Sequence, residues 1–156
     1  MENFVGNSST KLDAKNRVPL PVIFRRSWQE GDDQRLVLTP DLYQKCLVLY
    51  PRAAWEAEKN NMRSRLDLYD EEQMSIYEAY VGRANPVEMD SMGRILIPKE
   101  FADEAGLKSD VRFVGIDDKI KVWDEAEYSR FIQSSRENFK ANARRFLVKP
   151  KTEDKA

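Results

Sequence analysis

The chain has little of what most enzymes need. Its 156 residues include no histidine and a single cysteine, Cys46. His-based triads therefore lack their general base, and the usual zinc sites lack their ligands. Neither a Walker A sequence nor a glycine-rich dinucleotide fingerprint is present. The sequence thus predicts a protein that is not an enzyme, with no metal site, no cofactor and no small-molecule substrate.

Long apolar runs and an excess of positive charge are also missing. No apolar run approaches the roughly 18 residues of a membrane span, and the N-terminus has no signal-type stretch. With its lone cysteine, which excludes an internal disulfide, the chain is expected to be cytoplasmic, without a membrane partner. Its 26 basic and 27 acidic residues give a net charge of −1. A nucleic-acid-binding function would therefore depend on local basic patches, present in several copies.

What the chain does contain is one motif that occurs twice. The sequence Asp-Ala-Lys-Asn-Arg-Val-Pro-Leu-Pro at 13–21 returns as Asp-Ser-Met-Gly-Arg-Ile-Leu-Ile-Pro at 90–98. An Asp, an Asn or Gly three residues later, an Arg, an apolar stretch and a Pro keep the same spacing in both copies. Such a duplication indicates one supersecondary unit built twice.

The similarity between the copies extends on both sides of the motif and predicts the domain organisation. We expect a first half at 4–55, a helical bridge at 56–79, a second half at 80–130, and a C-terminal helix end with a disordered basic tail at 131–156. The expected strands are 4–12, 17–20, 35–39 and 46–50 in the first half, and 111–116 and 119–123 in the second. The helices after the two motifs are expected to end near Gly31 and Gly106, and the last helix near Phe139.

Each motif predicts a β-hairpin with a three-residue loop. Such loops usually place a left-handed residue last, and Asn16 and Gly93 are of the types that tolerate positive φ best. Asp13 would face Arg17 across the strand pair, and its carboxylate would accept hydrogen bonds from the loop. The same arrangement is expected for the second copy.

The doubled Asp-x-x-(Asn/Gly)-Arg-(Val/Ile)-x-(Leu/Ile)-Pro pattern resembles the AbrB/SpoVT-like swapped-hairpin fold. Two such halves with a helical bridge resemble the MraZ family of bacterial transcriptional regulators. The resemblance implies an α+β protein: a pseudo-twofold β-barrel of two interlocked AbrB-like hairpin repeats, with helices packed outside.

The resemblance also implies a function. A member of this family is expected to be a nucleoid-associated repressor of a division and cell-wall operon that includes its own gene. It would bind double-stranded DNA at direct repeats in the promoter, as a ring-shaped homo-oligomer. The loop of the first half, Asp13 to Arg17, is the part that the resemblance places on DNA.

The residues around this loop support that role by themselves. Lys11, Lys15 and Arg17 place three cations within seven residues, with Asp13 as the one acid among them. A two-stranded ribbon can enter the major groove, where Arg contacts guanine and Lys mostly contacts phosphate. The predicted DNA-binding residues are Lys11, Lys15, Asn16, Arg17, Arg25 and Arg26.

The second loop has no cation of its own, and acids precede it. Arg94 is therefore expected to pair with Asp90 and to fix the loop rather than to bind DNA. The residues predicted to have a structural role in the loops are Asp13, Asp90, Gly93 and Arg94.

Two other functions stay open. The same fold occurs in antitoxins, and residues 136–156 could be a C-terminal arm that binds a protein partner. Acidic clusters at 70–72 and 124–125 could also supply catalytic carboxylates or metal ligands. Both clusters precede predicted helices, where negative charge caps the N-terminus, so capping is the preferred interpretation.

Overall fold

In the described residues, eight strands and five helices form two matching series joined by one additional helix. The structure is a computed structural model that describes residues 3–28 and 31–148. The described strands are β1 (Asn7–Lys11), β2 (Arg17–Pro19), β3 (Arg35–Pro40), β4 (Leu47–Pro51), β5 (Asn85–Glu88), β6 (Arg94–Leu96), β7 (Asp110–Ile116) and β8 (Lys119–Asp124). The described helices are α1 (Val22–Arg25), α2 (Arg52–Ser64), α3 (Glu71–Val81), α4 (Lys99–Ala105) and α5 (Glu125–Phe146).

The strand order repeats the duplication of the sequence. Six strands form an antiparallel sheet in the order β1-β7-β8-β4-β3-β5, and β2 pairs with β6 in a separate two-stranded ribbon. Strands β1 to β4 of the first half are equivalent to β5 to β8 of the second. When each strand is replaced by its equivalent, the order of the sheet is the same but reversed. The first strand of each half pairs with the third strand of the other, as β1 does with β7 and β5 with β3. The chain is thus a mixed α+β protein built from two related halves.

The ribbon covers one face of the sheet. Within the two described ranges the strands form one open sheet and one ribbon, rather than a closed ring of paired strands. Val18 of β2 and Ile95 of β6 are fully buried in the same cluster as Leu38, Leu49 and Phe113 of the sheet. Both halves therefore contribute to a single main core.

The expected pairing of β1 with β2 is wrong except for the backbone hydrogen bond between Asp13 and Arg17. The Asp13 N–H donates to the Arg17 carbonyl oxygen at 2.9 Å and closes the loop. From there β1 pairs along its whole length with β7, and β2 pairs with β6. Pro19 has no N–H to donate to a ladder with β1, and the strands of the second half offer partners that a local hairpin would leave unpaired.

The sheet is covered on both faces, which explains the unbroken apolar runs of β3 and β4. Leu36 and Leu38 lie in the main core, whereas Val37 lies in a second cluster on the opposite face. Helices α2 and α3 complete this second cluster with Trp55 and Tyr80. The ring centroids of these two aromatics lie 5.7 Å apart. Trp55 is therefore a packing residue.

The helices after the two motifs end differently. Helix α4 ends as predicted at Gly106, whose φ of 66° is left-handed. Helix α1 ends at Arg25, before the expected Gly31. The chain leaves α1 early because Trp28 stacks on Phe4, with ring centroids 5.4 Å apart.

A second compact unit begins at residue 126, and its described part, 126–148, is mainly helix α5. This helix continues to Phe146, so its predicted end near Phe139 is wrong. An ion pair of 2.9 Å joins Arg130 to Glu127 one turn earlier. The predicted disordered tail reaches into residues 149–156, which lie outside the described residues. No helix among the described residues has the length and apolar character required to cross a membrane.

The buried position of Cys46 allows a direct test of the fold. The residue is 2% exposed, and burial raises the pKa of its thiol to about 12. We expect Ellman's reagent to leave the native protein unlabelled near neutral pH and to label one thiol per chain after unfolding in denaturant, because only the thiolate reacts. Rapid labelling of the native chain would contradict this packing.

Candidate nucleic-acid interface

The first loop, residues 13–16, has the conformation that the sequence predicts. The Asn16 N–H donates to the Asp13 carbonyl oxygen at 3.0 Å, and Asn16 has a left-handed φ of 61°. One carboxylate oxygen of Asp13 accepts from the backbone N–H groups of Lys15 and Arg17, each at 2.9 Å. The other accepts from Nε of Arg17, also at 2.9 Å. The carboxylate thus holds both the loop and the arginine.

The second loop, residues 90–93, is a close copy of the first. Gly93 has a φ of 77°. Asp90 accepts from the backbone N–H groups of Met92 and Arg94, each at 2.9 Å, and from Nε of Arg94 at 2.8 Å. Asp90 thus holds Arg94 as Asp13 holds Arg17, and the structural roles of Asp90, Gly93 and Arg94 stay predictions.

The same contacts lower the pKa of both carboxyl groups below the ordinary value of 3.8. For Asp13 the largest cause is the hydrogen bond from the Arg17 backbone N–H. For Asp90 it is the equivalent bond from Arg94. A carboxylate that accepts backbone N–H groups is favoured in its charged form.

The ribbon of β2 and β6 joins the two loops. The Ile97 N–H donates to the Asn16 carbonyl oxygen at 2.8 Å, and the Leu20 N–H donates to the Gly93 carbonyl oxygen at 2.9 Å. Each loop is therefore tied to the strand of the other half. Because β2 and β6 are antiparallel, the loops lie at opposite ends of the ribbon.

The outward face of this ribbon presents two arginines. Val18 and Ile95 point into the core, so the alternation of a strand places Arg17 and Arg94 on the opposite face. Arg17 is paired with Leu96, and Arg94 with Pro19. The two arginines are thus diagonal neighbours, an arrangement that separates positions by about 7–8 Å.

Both guanidinium groups keep hydrogen-bonding capacity for a ligand. The side chains of Arg17 and Arg94 are 35% and 25% exposed. Each uses Nε for its own aspartate, and neither Nη group has a hydrogen-bond partner in the described part of the chain. Nη groups can donate to phosphate or to base edges.

The other predicted DNA-binding residues have different surroundings. Lys15 is exposed on the first loop, and Arg26 is exposed after α1. Lys11 forms an ion pair of 2.6 Å with Asp110 on the neighbouring strand. Arg25 lies against Gly93 of the second loop. The structure thus brings Lys15, Asn16 and Arg17 together, and it places Arg25 at the other end of the ribbon.

The acids that precede the second loop do not all remain as free negative charge. Glu88 is directly opposite Arg35 in the pairing of β5 with β3. Opposite charges across a strand pair attract each other. Asp90 is already engaged by Arg94 at 2.8 Å. Asp90 is therefore paired with an arginine, whereas Arg35 opposite Glu88 is itself bonded to Asp33, with its Nη2 at 2.8 Å.

The acidic clusters have structural contacts. The Gln73 N–H donates to the Asp70 carboxylate at 3.0 Å, which confirms the predicted cap of α3. Asp124 accepts from the Lys108 N–H at 3.1 Å. In residues 3–28 and 31–148 no group of three or more potential ligands is arranged to hold a metal ion.

Sequence reasoning did not place Arg94 on the outward face with Arg17. The signal was present in the alternation of Arg94, Ile95 and Leu96, where a single buried position lies between two outward ones. The register between β2 and β6, which makes the two arginines neighbours, has no signal in either segment alone.

The lowered pKa values predict a pH dependence of stability. A carboxyl whose pKa is lower in the folded state stabilises the protein above its ordinary pKa, and this contribution disappears as the pH falls through the folded value. Asp13→Asn and Asp90→Asn should therefore lower the urea midpoint at about pH 7. The difference from the native chain should shrink as the pH falls below 3.8.

Asp118→Asn is the matched control, because this turn residue lies 4.0 Å from its nearest cation, Lys119. It should change the midpoint less than either loop variant. If the urea midpoints of the loop variants stay below that of the native chain by the same amount throughout the acid range, the role of the two carboxylates is contradicted.

Comparison with known proteins gives a consistent result across most of the chain. The sequence model of the family described as "MraZ protein, putative antitoxin-like" matches residues 4–77 and 80–149. These two segments correspond to the two halves of the duplication.

Individual relatives have the same name. A Bacteroides fragilis protein named "Transcriptional regulator MraZ" is 42% identical over 123 residues, which cover 79% of this chain and 78% of the relative. Proteins of that name from Histophilus somni and Yersinia pestis are 34% and 35% identical, over 83% and 78% of this chain and 85% and 80% of their own lengths. Their names describe regulators of transcription rather than enzymes. The chain, with its doubled loop and the strand exchange between its halves, belongs to the MraZ family of transcriptional regulators.

Proposed function

We propose that this protein is a sequence-specific DNA-binding regulator that represses its own division and cell-wall operon. It binds direct repeats in the promoter as a ring-shaped homo-oligomer, and it is a cytoplasmic, nucleoid-associated protein. The observation that supports this best is the outward face of the β2–β6 ribbon, where Arg17 lies beside the exposed Lys15 and keeps its Nη groups available.

The roles of the residues follow from their chemistry. Arg17 is held by Asp13 through Nε, so its Nη groups can contact guanine O6 and N7 without a further loss of side-chain freedom. Lys15 and Arg26 contact phosphates, which fix the position of the ribbon on the duplex. Asn16 shapes the loop through its left-handed backbone and can donate from its amide.

Lys11 can join these contacts by exchanging its partner. Its ion pair with Asp110 is exposed, with side-chain exposures of 74% and 49%. Exposed pairs contribute only about 0–1 kcal/mol. A DNA phosphate can therefore replace Asp110 at little cost.

The fold positions this face through the exchange of strands between the halves. We propose that the six-stranded sheet and the ribbon enclose the shared core in the manner of the pseudo-twofold barrel implied by the resemblance. Val18 and Ile95, buried under the ribbon, support this arrangement because they anchor both loops to one core. The ribbon would then be presented as a rigid element.

Assembly compensates for the low net charge. A chain with a net charge of −1 has no general attraction to DNA, and a single ribbon offers few contacts. Several ribbons on one ring, facing repeated sites, make the later contacts intramolecular and raise the overall affinity.

An exposed apolar patch supports self-association. Val5, Val22, Ile23 and Ile116 are all exposed. The Gly115 N–H donates to the Gly6 carbonyl oxygen at 2.8 Å, so the segments of Val5 and Ile116 are neighbours. Ile23 lies beside Gly6. Such clusters commonly mark protein interfaces, and we propose a second copy of this chain as the occupant.

The DNA-binding role of the first loop is tested with Arg17→Ala. This change should lower the affinity for duplex DNA from upstream of the gene by about tenfold or more, because a bidentate contact to a base contributes about 1–3 kcal/mol. The measurement is a gel-shift or anisotropy titration, with circular dichroism to confirm folding.

Arg65→Ala provides the control for net charge, because it removes an exposed cation at the end of α2. It should leave specific binding nearly unchanged. Full retention of binding by Arg17→Ala would overturn the proposed role of the loop. A native chain that fails to bind the DNA but retains a small protein from lysate in stoichiometric amount would favour the antitoxin-type function.

The ring is tested with Val5→Glu. Val5 is 81% exposed, so a charge there should leave the folded monomer intact and disrupt the contact between copies. We expect a lower mass in light scattering after gel filtration and weaker binding to repeated sites. Ile76→Glu, an exposed position on α3, is the control and should retain the native mass. An unchanged mass for Val5→Glu would exclude the patch as a subunit contact.

A further inference from the structure

The side chain of Arg25 is packed onto the second loop. A Cβ atom at position 93 would lie 2.7 Å from Cδ of Arg25 and 2.9 Å from its Cζ. At such distances a side chain at position 93 would displace the end of the Arg25 side chain. Glycine thus suits position 93 in two ways: it tolerates the left-handed φ of 77°, and it leaves space for the arginine.

The two loops differ by a pair of compensating changes. Aligning the prolines of the two motifs makes Arg25 of α1 equivalent to Ala102 of α4, and Asn16 equivalent to Gly93. A large residue on α1 thus accompanies the smallest residue in the second loop. In the other half a small residue on the helix accompanies an asparagine in the first loop.

A third difference concerns charge. Lys15 of the first loop is equivalent to Met92 of the second, which is 65% exposed. The second loop therefore has no cation at this position. Arg25 supplies one from the other half of the chain, so each loop combines an Asp–Arg ion pair with one additional positive charge.

The surroundings of Arg25 leave part of its hydrogen-bonding capacity unused. Its Nε is buried and has no hydrogen-bond partner among the described residues. No ion pair of Arg25 is formed within the same part of the chain. Because this Nε is closed to solvent, an incoming anion would have to be bound through the Nη groups of Arg25.

We propose that Arg25, packed on Gly93, and Arg94, the next residue of the chain, form a second binding site for a backbone phosphate of the DNA. The inference rests on the proposed function, and it extends the interface to a loop that has no cation in its own sequence. Arg94 contributes its Nη groups on the outward face of the ribbon, and Arg25 contributes the additional charge that Lys15 contributes at the first loop.

The position of this site suits a duplex that contacts the whole ribbon. The loops lie at opposite ends of β2 and β6, and three residues of strand span about 10 Å. This length is comparable to the width of about 12 Å of the major groove. The first loop can thus contact bases and phosphate while the second holds a further phosphate, and each chain engages the DNA at two points.

Arg25→Ala tests the second site, and Met92→Lys provides its rescue. Arg25→Ala should lower the affinity for DNA by about tenfold, the order of one charge-assisted hydrogen bond. It should also reduce the slope of log affinity against log salt by about 0.9 for each phosphate that the variant no longer neutralises. Because a phosphate carries no sequence information, specific and nonspecific duplexes should be weakened by the same factor.

The double variant Arg25→Ala/Met92→Lys places on the second loop the cation that the first loop has. It should recover most of the affinity and of the salt slope. A purely structural role of Arg25 predicts a lower melting temperature that Met92→Lys does not restore, and absence of rescue would overturn the proposal. Arg65→Ala again controls for net charge.

Gly93→Asn displaces Arg25 without removing its charge. Asparagine adopts the left-handed conformation at position 16, so the loop can keep its shape while its Cβ excludes the guanidinium. The affinity of this variant should fall as for Arg25→Ala, and combining the two changes should add little. Additive reductions in affinity would contradict the shared site.

The failure of this inference is distinct from the failure of the proposed function. If the native chain binds DNA, and Arg17→Ala abolishes binding while Arg25→Ala does not weaken it, then the first loop acts alone and the second site is refuted. If the native chain binds no DNA, the proposed function itself fails.

Discussion

The exchange of strands between the two halves is the constraint on which the rest of the structure depends. Because β1 pairs with β7 and β5 with β3, neither half can complete its sheet alone. The exchange also separates β1 from β2, so no ladder between them holds the loop at residues 13–16. The Asp13 carboxylate takes this role by accepting the N–H groups of Lys15 and Arg17. The aspartate that shapes the loop also holds the arginine on the outer face.

The duplication preserves this arrangement while allowing the loops to differ. The backbone bonds that close and connect the loops are the same in both halves, with Asn16 bonded to Ile97 and Gly93 to Leu20. One difference between their side chains fits a contact between the halves. Arg25 occupies space that exists because position 93 is glycine. A substitution at one of these positions is therefore constrained by the residue at the other, although they are in different halves.

The local features were predictable from the sequence, whereas the contacts between distant segments were not. The spacing of the motif predicted the left-handed Asn16 and Gly93, because few residue types tolerate positive φ. Periodicity predicted β3, β4, β7 and β8 nearly to their ends. The choice of β7 as the partner of β1 is a property of the whole chain, and the local pattern wrongly favoured a simple hairpin. The contact of Arg25 with Gly93 was missed for the same reason, and the early end of α1 depends on the packing of Trp28 against Phe4.

The distribution of ion pairs leaves unpaired cations at the ribbon of a nearly neutral chain. Several cations of the sheet and its surroundings face acids, as Arg112 faces Glu125 and Lys121 faces Asp41. Lys15 and Arg25, at the two ends of the ribbon, have no ion-pair partner in the described residues. Acids elsewhere in the chain lower its net charge, but they do not neutralise the cations at the two loops. The field near the ribbon is therefore set by the few unpaired cations there, and at distances beyond about 10 Å salt screens the rest.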